Sequence, residues 1–213
     1  MAHATLTRLR SAANLGERSL QGHLRRELSA CESVLDLGCG RSSVLEVLPR
    51  LPRSVGVDAF PAAIEDSRSR GAHDDYIQAD VTELELAPGS FDAVLMMDLI
   101  EHLDHATGEA LIERMAKVAA RRMLIFTPNG FVDQHEYDDN PLQVHRSGWT
   151  VEDFRRRGFQ VVGIKGWRLL RGPESTPRPP ALLTRPLSSL SQPFIERRPR
   201  HAYSLLAIAR YGG

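Results

Sequence analysis

The chain has 213 residues, and its 27 lysines and arginines balance its 27 aspartates and glutamates. The length suits one α/β domain, and the neutral charge argues against a globally basic nucleic-acid binder without excluding a local basic patch. No apolar run approaches the ~20 residues that span a bilayer, and the N-terminus lacks the apolar centre of a secretory signal. Because the only cysteines are Cys31 and Cys39, we expect a reduced, cytoplasmic protein.

Apolar segments along the chain predict strands and helices in alternation. Regularly spaced leucines at 5–30 are typical of an amphipathic helix. Residues 33–40 then combine a buried strand with a tight glycine turn. The remaining predicted elements, in chain order, are a helix at 42–48, a strand at 54–59, a helix at 61–70, strands at 75–80 and 91–98, a helix at 105–121, a strand at 122–128, a helix at 150–157, and strands at 159–167 and 202–210.

This order of elements predicts an α/β fold with a mainly parallel sheet and helices on both faces. We expect a single domain over residues 1–213, in which 1–30 is an N-terminal helical segment. Residues 168–200 differ in composition, with seven prolines and with seven arginines against two glutamates. Two interpretations of this insertion stay open: a solvated connection that contains a broken helix, or a lid or surface for an anionic partner.

The strongest chemical signal is the glycine turn after the first strand, in the run Val34-Leu35-Asp36-Leu37-Gly38-Cys39-Gly40. Glycines let the backbone approach a ligand closely, and the N–H groups at the start of the next helix can face that ligand. The dinucleotide fingerprint has a further glycine three residues on. Ser43 stands there, which disfavours a hydride-transfer enzyme.

Two acidic residues end the next two predicted strands. Asp58 follows the glycine turn by about 20 residues, the spacing at which a carboxylate accepts ribose hydroxyl groups. Asp80 ends the third strand, where a carboxylate can accept from an adenine amine. The carboxyl ends of parallel strands lie at one edge of the sheet, where open α/β sheets bind ligands. We therefore expect a nucleoside-containing cofactor at this edge.

These motifs resemble those of the class I S-adenosylmethionine-dependent methyltransferases, particularly the small-molecule type 11/12 group. The resemblance covers about residues 30–166 and includes VLDLGCG, GVDA, QADV and FDAVLMMDLIEHL, followed by LIFTPNG and SGWTVEDFRRRGFQVVG. It departs from the family at Ser42, where many members have a third glycine. It implies a Rossmann-like, seven-stranded sheet whose last strand is antiparallel.

The resemblance also implies a role for individual residues. The glycine turn passes the methionine part of S-adenosyl-L-methionine, and Asp36 holds the loop or its waters. Asp58 takes the ribose hydroxyls, and Asp80 with the Val81 backbone takes the adenine. The complete predicted cofactor-binding set is Asp36, Gly38, Cys39, Gly40, Asp58, Ala59, Asp80, Val81 and Met97.

Methyl transfer to a hydroxyl group benefits from a general base, which contributes roughly 10²–10⁴-fold. Imidazole exchanges a proton most readily near neutral pH. His102 and His145 are the predicted catalytic residues, and His135, Asp98 and Glu101 are further candidates at the same rim. An alternative for His102 is that it only orients its neighbours.

A metal site is the alternative interpretation of the same residues. Asp98, Glu101 and His102 fall on one predicted helical turn, and His145 can join them from a later loop. Two imidazoles and two carboxylates suit a divalent cation. The layout resembles that of the small-RNA 3′-terminal 2′-O-methyltransferases, although Asp98 stands where those usually have Glu. The favoured assignment of these residues includes no metal ligand.

The favoured function is methyl transfer to a polar small-molecule acceptor, such as a hydroxyl group of a sugar or secondary metabolite. The polar segment 129–150 is expected to contact that acceptor. Two alternatives remain: a metal-assisted RNA ribose methyltransferase, and a cofactor-binding partner protein without catalysis. Nucleic acid is disfavoured as a partner by the neutral charge.

Overall fold

The computed structural model describes residues 18–134, 141–172, 176 and 178–212. Residues 5–17 of the helix predicted at 5–30 and the candidate base His135 lie outside these residues. The strands are β1 (Ser33–Leu37), β2 (Arg53–Asp58), β3 (Asp75–Gln78), β4 (Phe91–Met97), β5 (Ala119–Pro128), β6 (Gln160–Trp167) and β7 (Ala202–Arg210). The α-helices are α1 (Leu20–Leu28), α2 (Pro61–Arg70), α3 (His105–Val118), α4 (Val151–Arg155) and α5 (Ala181–Arg197).

The seven strands form one sheet in the order β3-β2-β1-β4-β5-β7-β6. Strands β1 to β5 pair in parallel, and β7 pairs antiparallel with both β5 and β6. The fold class predicted from the sequence is therefore confirmed, including the antiparallel last strand.

Alternation along each strand gives the sheet two apolar faces. Leu35 and Leu37 join a core on the face covered by α3 and α4, whereas Val34 joins a second core beneath α1. The central strands are almost completely buried, as expected for parallel strands between two helical layers.

The strand order reverses between β1 and β4. The chain moves outward from β1 to β2 and β3, then crosses back to β4 on the other side of β1. Connections that depart in opposite directions leave a crevice at the carboxyl ends of these two strands. All the predicted site residues lie in or after strands that end at this edge.

The boundaries of several elements differ from the sequence expectations. The helix predicted at 42–48 is a four-residue 3₁₀ turn, Val44–Val47, because Ser43 and Glu46 form a capping box only a few residues before Pro49. Helix α3 ends at Val118 instead of 121, since β5 already begins at Ala119.

The insertion contains a continuous helix where the sequence suggested a broken one. Helix α5 runs through Pro186 and Pro193. Gln192 holds it against β6, donating to the Gly163 carbonyl at 2.8 Å and accepting from the Gly166 N–H at 2.9 Å. Tertiary contacts thus override the local effect of proline. Across the described ranges, we find no helix with both the length and the apolar character to cross a membrane.

Candidate active site

Two glycines shape the turn after β1. Gly38 and Gly40 have φ angles of 66° and 60°, which glycine adopts without steric cost. A Cβ atom on Gly38 would lie 2.7 Å from Cδ1 of Leu99. The Cys39 N–H donates to the Val57 carbonyl at 3.0 Å, which ties the turn to β2. Residues 38–40, the glycine turn, therefore present backbone instead of bulky side chains to the crevice.

Asp36 supports this turn from inside the protein. Its buried Oδ2 accepts a hydrogen bond of 2.6 Å from the Ser43 hydroxyl and lies 3.0 Å from Nε2 of His73. Ser43 then caps the turn Val44–Val47 by accepting from the Leu45 N–H at 3.1 Å. These contacts support the expected role of Asp36 in holding the loop, through Ser43 and without any ligand.

Asp58 stands at the carboxyl end of β2 beside the glycine turn. One carboxylate oxygen accepts from the Gly40 N–H and the other from the Phe60 N–H, each at 2.9 Å. Each carboxylate oxygen has two acceptor positions, so Asp58 retains capacity for two hydroxyl donors. Asp80 is exposed after β3, and its Oδ1 accepts from the N–H and hydroxyl groups of Thr82.

Three adjoining cavities make up one cleft along this edge. The first, of about 550 Å³, is lined by Asp36, Gly38, Cys39, Gly40, Asp58 and Met97, among others. The second, of about 290 Å³, adds Ala59, Asp80, Val81 and His102. The third, of about 320 Å³, contains Glu101, His102 and His145, and we call it the acceptor cavity. Asp98 and Gln143 line all three cavities, so the predicted cofactor-binding and catalytic residues share one cleft.

Glu101 is among the most deeply buried polar residues of the acceptor cavity, with 1% of its surface exposed. Among the described residues, neither carboxylate oxygen has a hydrogen-bond donor, and the hydroxyl of Thr127 stays outside bonding geometry. Burial, followed by the neighbouring Asp98, raises the pKa of Glu101 well above its ordinary value. The site thus holds a carboxyl group that favours the protonated form unless a positive charge binds beside it.

Backbone hydrogen bonds bring the loop after β5 to this carboxyl group. The Glu101 carbonyl accepts from the N–H groups of Arg146 and Ser147 at 2.8 and 3.1 Å. Nε1 of the buried Trp149 donates to the Ile100 carbonyl at 3.3 Å and to Oγ of Ser147 at 3.0 Å. The segment after β4 therefore fixes the position of a loop some 45 residues later in the chain.

The two predicted catalytic histidines meet in the acceptor cavity. The ring centroids of His102 and His145 are 4.9 Å apart. Nδ1 of His102 lies 3.3 Å from the Val144 carbonyl, and Nδ1 of His145 lies 2.6 Å from the Val132 carbonyl. When Nδ1 donates to a carbonyl, Nε2 is the free acceptor. Burial lowers the pKa of His102 below its ordinary value, and His145 lowers it further.

Three of the four residues in the predicted metal group converge. One ligand atom each from Glu101, His102 and His145 can be chosen so that all three lie within 4.8 Å of one another. Asp98 lines the same cavity but is not one of the three.

Gln143 and Lys165 line the acceptor cavity, although neither was identified from the sequence as a catalytic or cofactor residue. Gln143 was predicted only as part of the polar segment, and Lys165 was not singled out. Lys165 has a φ of 63° at an irregularity in the pairing of β6 with β7, and its Nζ lies 4.9 Å from the ring centroid of Phe126. The sequence signal for Lys165 was the glycine that follows it inside a predicted strand. A glycine within a strand often marks a bulge, and a bulge redirects the neighbouring side chains. The side-chain amide of Asn129, by contrast, donates its hydrogen bonds to the backbone carbonyls of residues 199, 200 and 202.

Comparison with known proteins finds a family similarity over part of the chain. Residues 35–125 match the family model described as "Methyltransferase domain". Helical and sheet elements beyond this range follow the same fold in solved structures. N-methyltransferase NodS from Bradyrhizobium japonicum WM9, in complex with S-adenosyl-L-homocysteine, superposes with a TM-score of 0.58 at 18% identity, covering 95% of this chain and 87% of that one. These matches confirm the resemblance and the fold predicted from the sequence.

Curated proteins show sequence similarity to part of this chain. The mitochondrial ubiquinone biosynthesis O-methyltransferase of Schizosaccharomyces pombe is 33% identical over 104 residues, which are 45% of this chain and 37% of that protein. The ribosomal protein L11 methyltransferase of Pelobacter propionicus is 37% identical over 136 residues, which are 62% of this chain and 40% of that protein. The chain therefore spans no more than about two fifths of these relatives.

The cysteine in the glycine turn should be chemically inert. Burial, followed by the nearby carboxylates of Asp36 and Asp58, raises the pKa of the Cys39 thiol, and burial also raises the pKa of Cys31. Because the thiolate is the reactive form, we predict that a disulfide reagent at pH 8 labels the native protein at least about a hundredfold more slowly than the unfolded chain. Labelling of Cys39 at the unfolded rate, located by mass spectrometry, would contradict a packing role.

Proposed function

We propose that this chain, whose residues 35–125 form a methyltransferase domain, transfers a methyl group from S-adenosyl-L-methionine to a hydroxyl group of a polar small molecule. The main support is that the glycine turn and Asp58 share a continuous cleft with His102 and His145. A bound methyl donor and a group able to accept a proton can therefore meet in a single site.

The residues of the cleft suit the cofactor. A cavity of about 550 Å³ lies in the range that small-molecule sites occupy. The backbone at Gly38 and Gly40 leaves room that a side chain would fill. Asp58 would hold the ribose hydroxyls with its remaining acceptor positions, and Asp80 with Val81 would hold the adenine. The bound sulfonium supplies an activated methyl group.

The protein's own contribution is alignment and removal of a proton. A hydroxyl oxygen of the acceptor forms a bond to the methyl carbon as the carbon–sulfur bond breaks, and the hydroxyl proton passes to Nε2 of His102 or His145. Burial keeps His102 neutral near physiological pH because it lowers the pKa of the imidazole. The products are the methyl ether, S-adenosyl-L-homocysteine and an imidazolium group that returns its proton to water.

The polar lining of the acceptor cavity favours a hydroxylated small molecule as the acceptor. Gln134, Gln143 and Tyr203 line it together with the histidines, and they offer both donors and acceptors to a hydroxylated compound. The names of these two curated relatives point in different directions, one to ubiquinone biosynthesis and the other to ribosomal protein L11. The small-molecule assignment therefore rests on the cavity. We also propose a cytoplasmic location, because both cysteines are free and buried.

Replacement of Asp58 tests the cofactor assignment. Asp58→Ala should weaken S-adenosylmethionine binding by about 1.5–3 kcal/mol for each charged hydrogen bond lost, which raises the dissociation constant at least tenfold. Isothermal titration calorimetry provides the measurement. Asp75→Ala, at an exposed aspartate at the start of β3, is the matched control and should bind like the parent protein. Equal affinity for all three proteins would refute the ribose contact.

Replacement of the two histidines tests the base. His102→Ala or His145→Ala should reduce turnover roughly 10²–10⁴-fold while cofactor affinity stays nearly unchanged. Only the neutral imidazole accepts a proton, so the parent rate should rise with pH through the lowered pKa of His102 and level off above it. His201→Ala, at an exposed histidine outside the cleft, is the control. Turnover by the double variant equal to that of the parent would exclude both bases.

A second candidate function is favoured by the convergence of Glu101, His102 and His145. Both histidines have Nδ1 beside a backbone carbonyl, the arrangement that orients Nε2 toward a metal. The unpartnered Glu101 carboxylate would gain a cation in place of its proton. A divalent cation held there would suit metal-assisted methylation of a ribose 2′-hydroxyl, as in the RNA methyltransferases that the motif resembles.

Manganese binding distinguishes the two candidates. If these residues hold a metal, Mn²⁺ should bind the parent protein and release a proton, and Glu101→Gln should weaken binding at least tenfold because the neutral amide is a poorer ligand. Glu85→Gln changes an exposed glutamate outside the cleft and serves as the control. The measurement is Mn²⁺ electron paramagnetic resonance combined with calorimetry. Absence of binding by the parent protein, with methyl transfer insensitive to chelators, would leave the metal-free mechanism.

A further inference from the structure

Helix α5 presents an apolar stripe to solvent. Leu183, Leu187, Leu190 and Phe194 are spaced four, three and four residues apart, which places them on one side of the helix. Each of the four has between 51% and 67% of its surface exposed. The opposite side of the same helix carries the buried residues, so the stripe is not needed to attach α5 to the sheet.

Other exposed apolar groups lie close to this helix. Leu182, at its start, is 91% exposed, and Trp167 at the end of β6 and Leu169 just after it are also exposed. The Trp167 N–H donates to Oγ of Ser191 at 3.1 Å, which places this residue against the helix. Contiguous apolar patches on a protein surface generally mark a binding surface. Tryptophan is enriched where proteins meet the interface of a membrane.

The same part of the chain is strongly basic. Residues 168–200 contain seven arginines and two glutamates. One of these glutamates, Glu196, already contacts Arg18 at 3.0 Å and His23 at 3.1 Å. The guanidinium carbon of Arg198 lies 4.6 Å from the ring centroid of Phe194, so positive charge adjoins the apolar stripe directly.

We propose that α5 is a membrane-surface helix that lays this stripe on a bilayer containing anionic phospholipids. Exposed leucine and phenylalanine side chains can enter the boundary of the acyl chains, and the arginines can pair with anionic headgroups. A second copy of the chain would instead bring its own arginines against these. A nucleic acid would bind the arginines but would leave the leucines in water. Charge and apolarity together therefore select the lipid surface.

The position of α5 relates this surface to the cleft. Ser188 packs against Gly166, whereas Ile195 packs against Gly163, so the helix runs antiparallel to β6. Its first two turns therefore extend past the carboxyl end of β6, the edge at which the acceptor cavity lies. Docking through the stripe places this edge of the sheet near the bilayer.

Vesicle cosedimentation of the full chain tests the proposal. The chain should sediment with vesicles of phosphatidylcholine and phosphatidylglycerol, more weakly with phosphatidylcholine alone, and less as salt increases. A Leu183→Ser, Leu187→Ser and Leu190→Ser triple variant should lose at least about tenfold in affinity, since each leucine contributes apolar burial. Val47→Ser, at a valine 58% exposed and distant in sequence from α5, is the matched control.

Several results would overturn the proposal. One is failure of the parent chain to sediment with anionic vesicles. Another is equal vesicle binding by the parent and the triple variant when both show the same thermal unfolding transition. A dimer in sedimentation-velocity experiments that the triple variant abolishes, without vesicle binding by the parent, would assign the stripe to a second copy. None of these results depends on methyl transfer, so the proposed function is tested separately.

Discussion

The reversal of strand order between β1 and β4 is the constraint on which the functional edge depends. It separates the connections that leave these neighbouring strands and opens a crevice at their carboxyl ends. The glycine turn lies at the centre of this crevice with positive φ angles at Gly38 and Gly40. Buried hydrogen bonds from Asp36 through Ser43 maintain its shape. The fold itself therefore shapes a surface of exposed backbone at this edge of the sheet.

The acceptor side depends on a different kind of constraint. Glu101 contributes its carbonyl to hold the loop at 146–147, while its carboxyl group stays buried without a hydrogen-bond donor among the described residues. Such a group is costly in isolation, and sites with this property commonly serve a chemical function. Its proximity to His102 and His145 brings three titratable groups together in the acceptor cavity.

Much of this arrangement could be predicted from local sequence. The run from Val34 to Gly40 has a distinct pattern, since a buried strand that stops at two glycines has few other interpretations, and Asp58 follows at the expected distance. The contact of His102 with His145 was predictable only as an alternative, because 43 residues separate them and backbone hydrogen bonds determine their approach. The backbone conformation of Lys165 depends on an irregularity in the pairing of β6 with β7, and local sequence propensity does not predict such an irregularity. Helix α5 is also more continuous than its sequence predicts, because contacts with β6 stabilise it despite the two prolines inside it.

Binding of the methyl donor at the glycine turn can be tested by calorimetric titration of S-adenosylmethionine into the Gly38→Val variant. The added side chain would approach Leu99 and occupy the cleft. Gly89→Val is the matched control, because Gly89 also has a positive φ, of 67°, but no atom within 4 Å of the added Cβ and no place in the cleft. We predict that Gly38→Val loses binding while its circular dichroism spectrum stays native, and that Gly89→Val binds normally. If a folded Gly38→Val variant binds with the affinity of the parent protein, the glycine turn is not the binding site of the methyl donor.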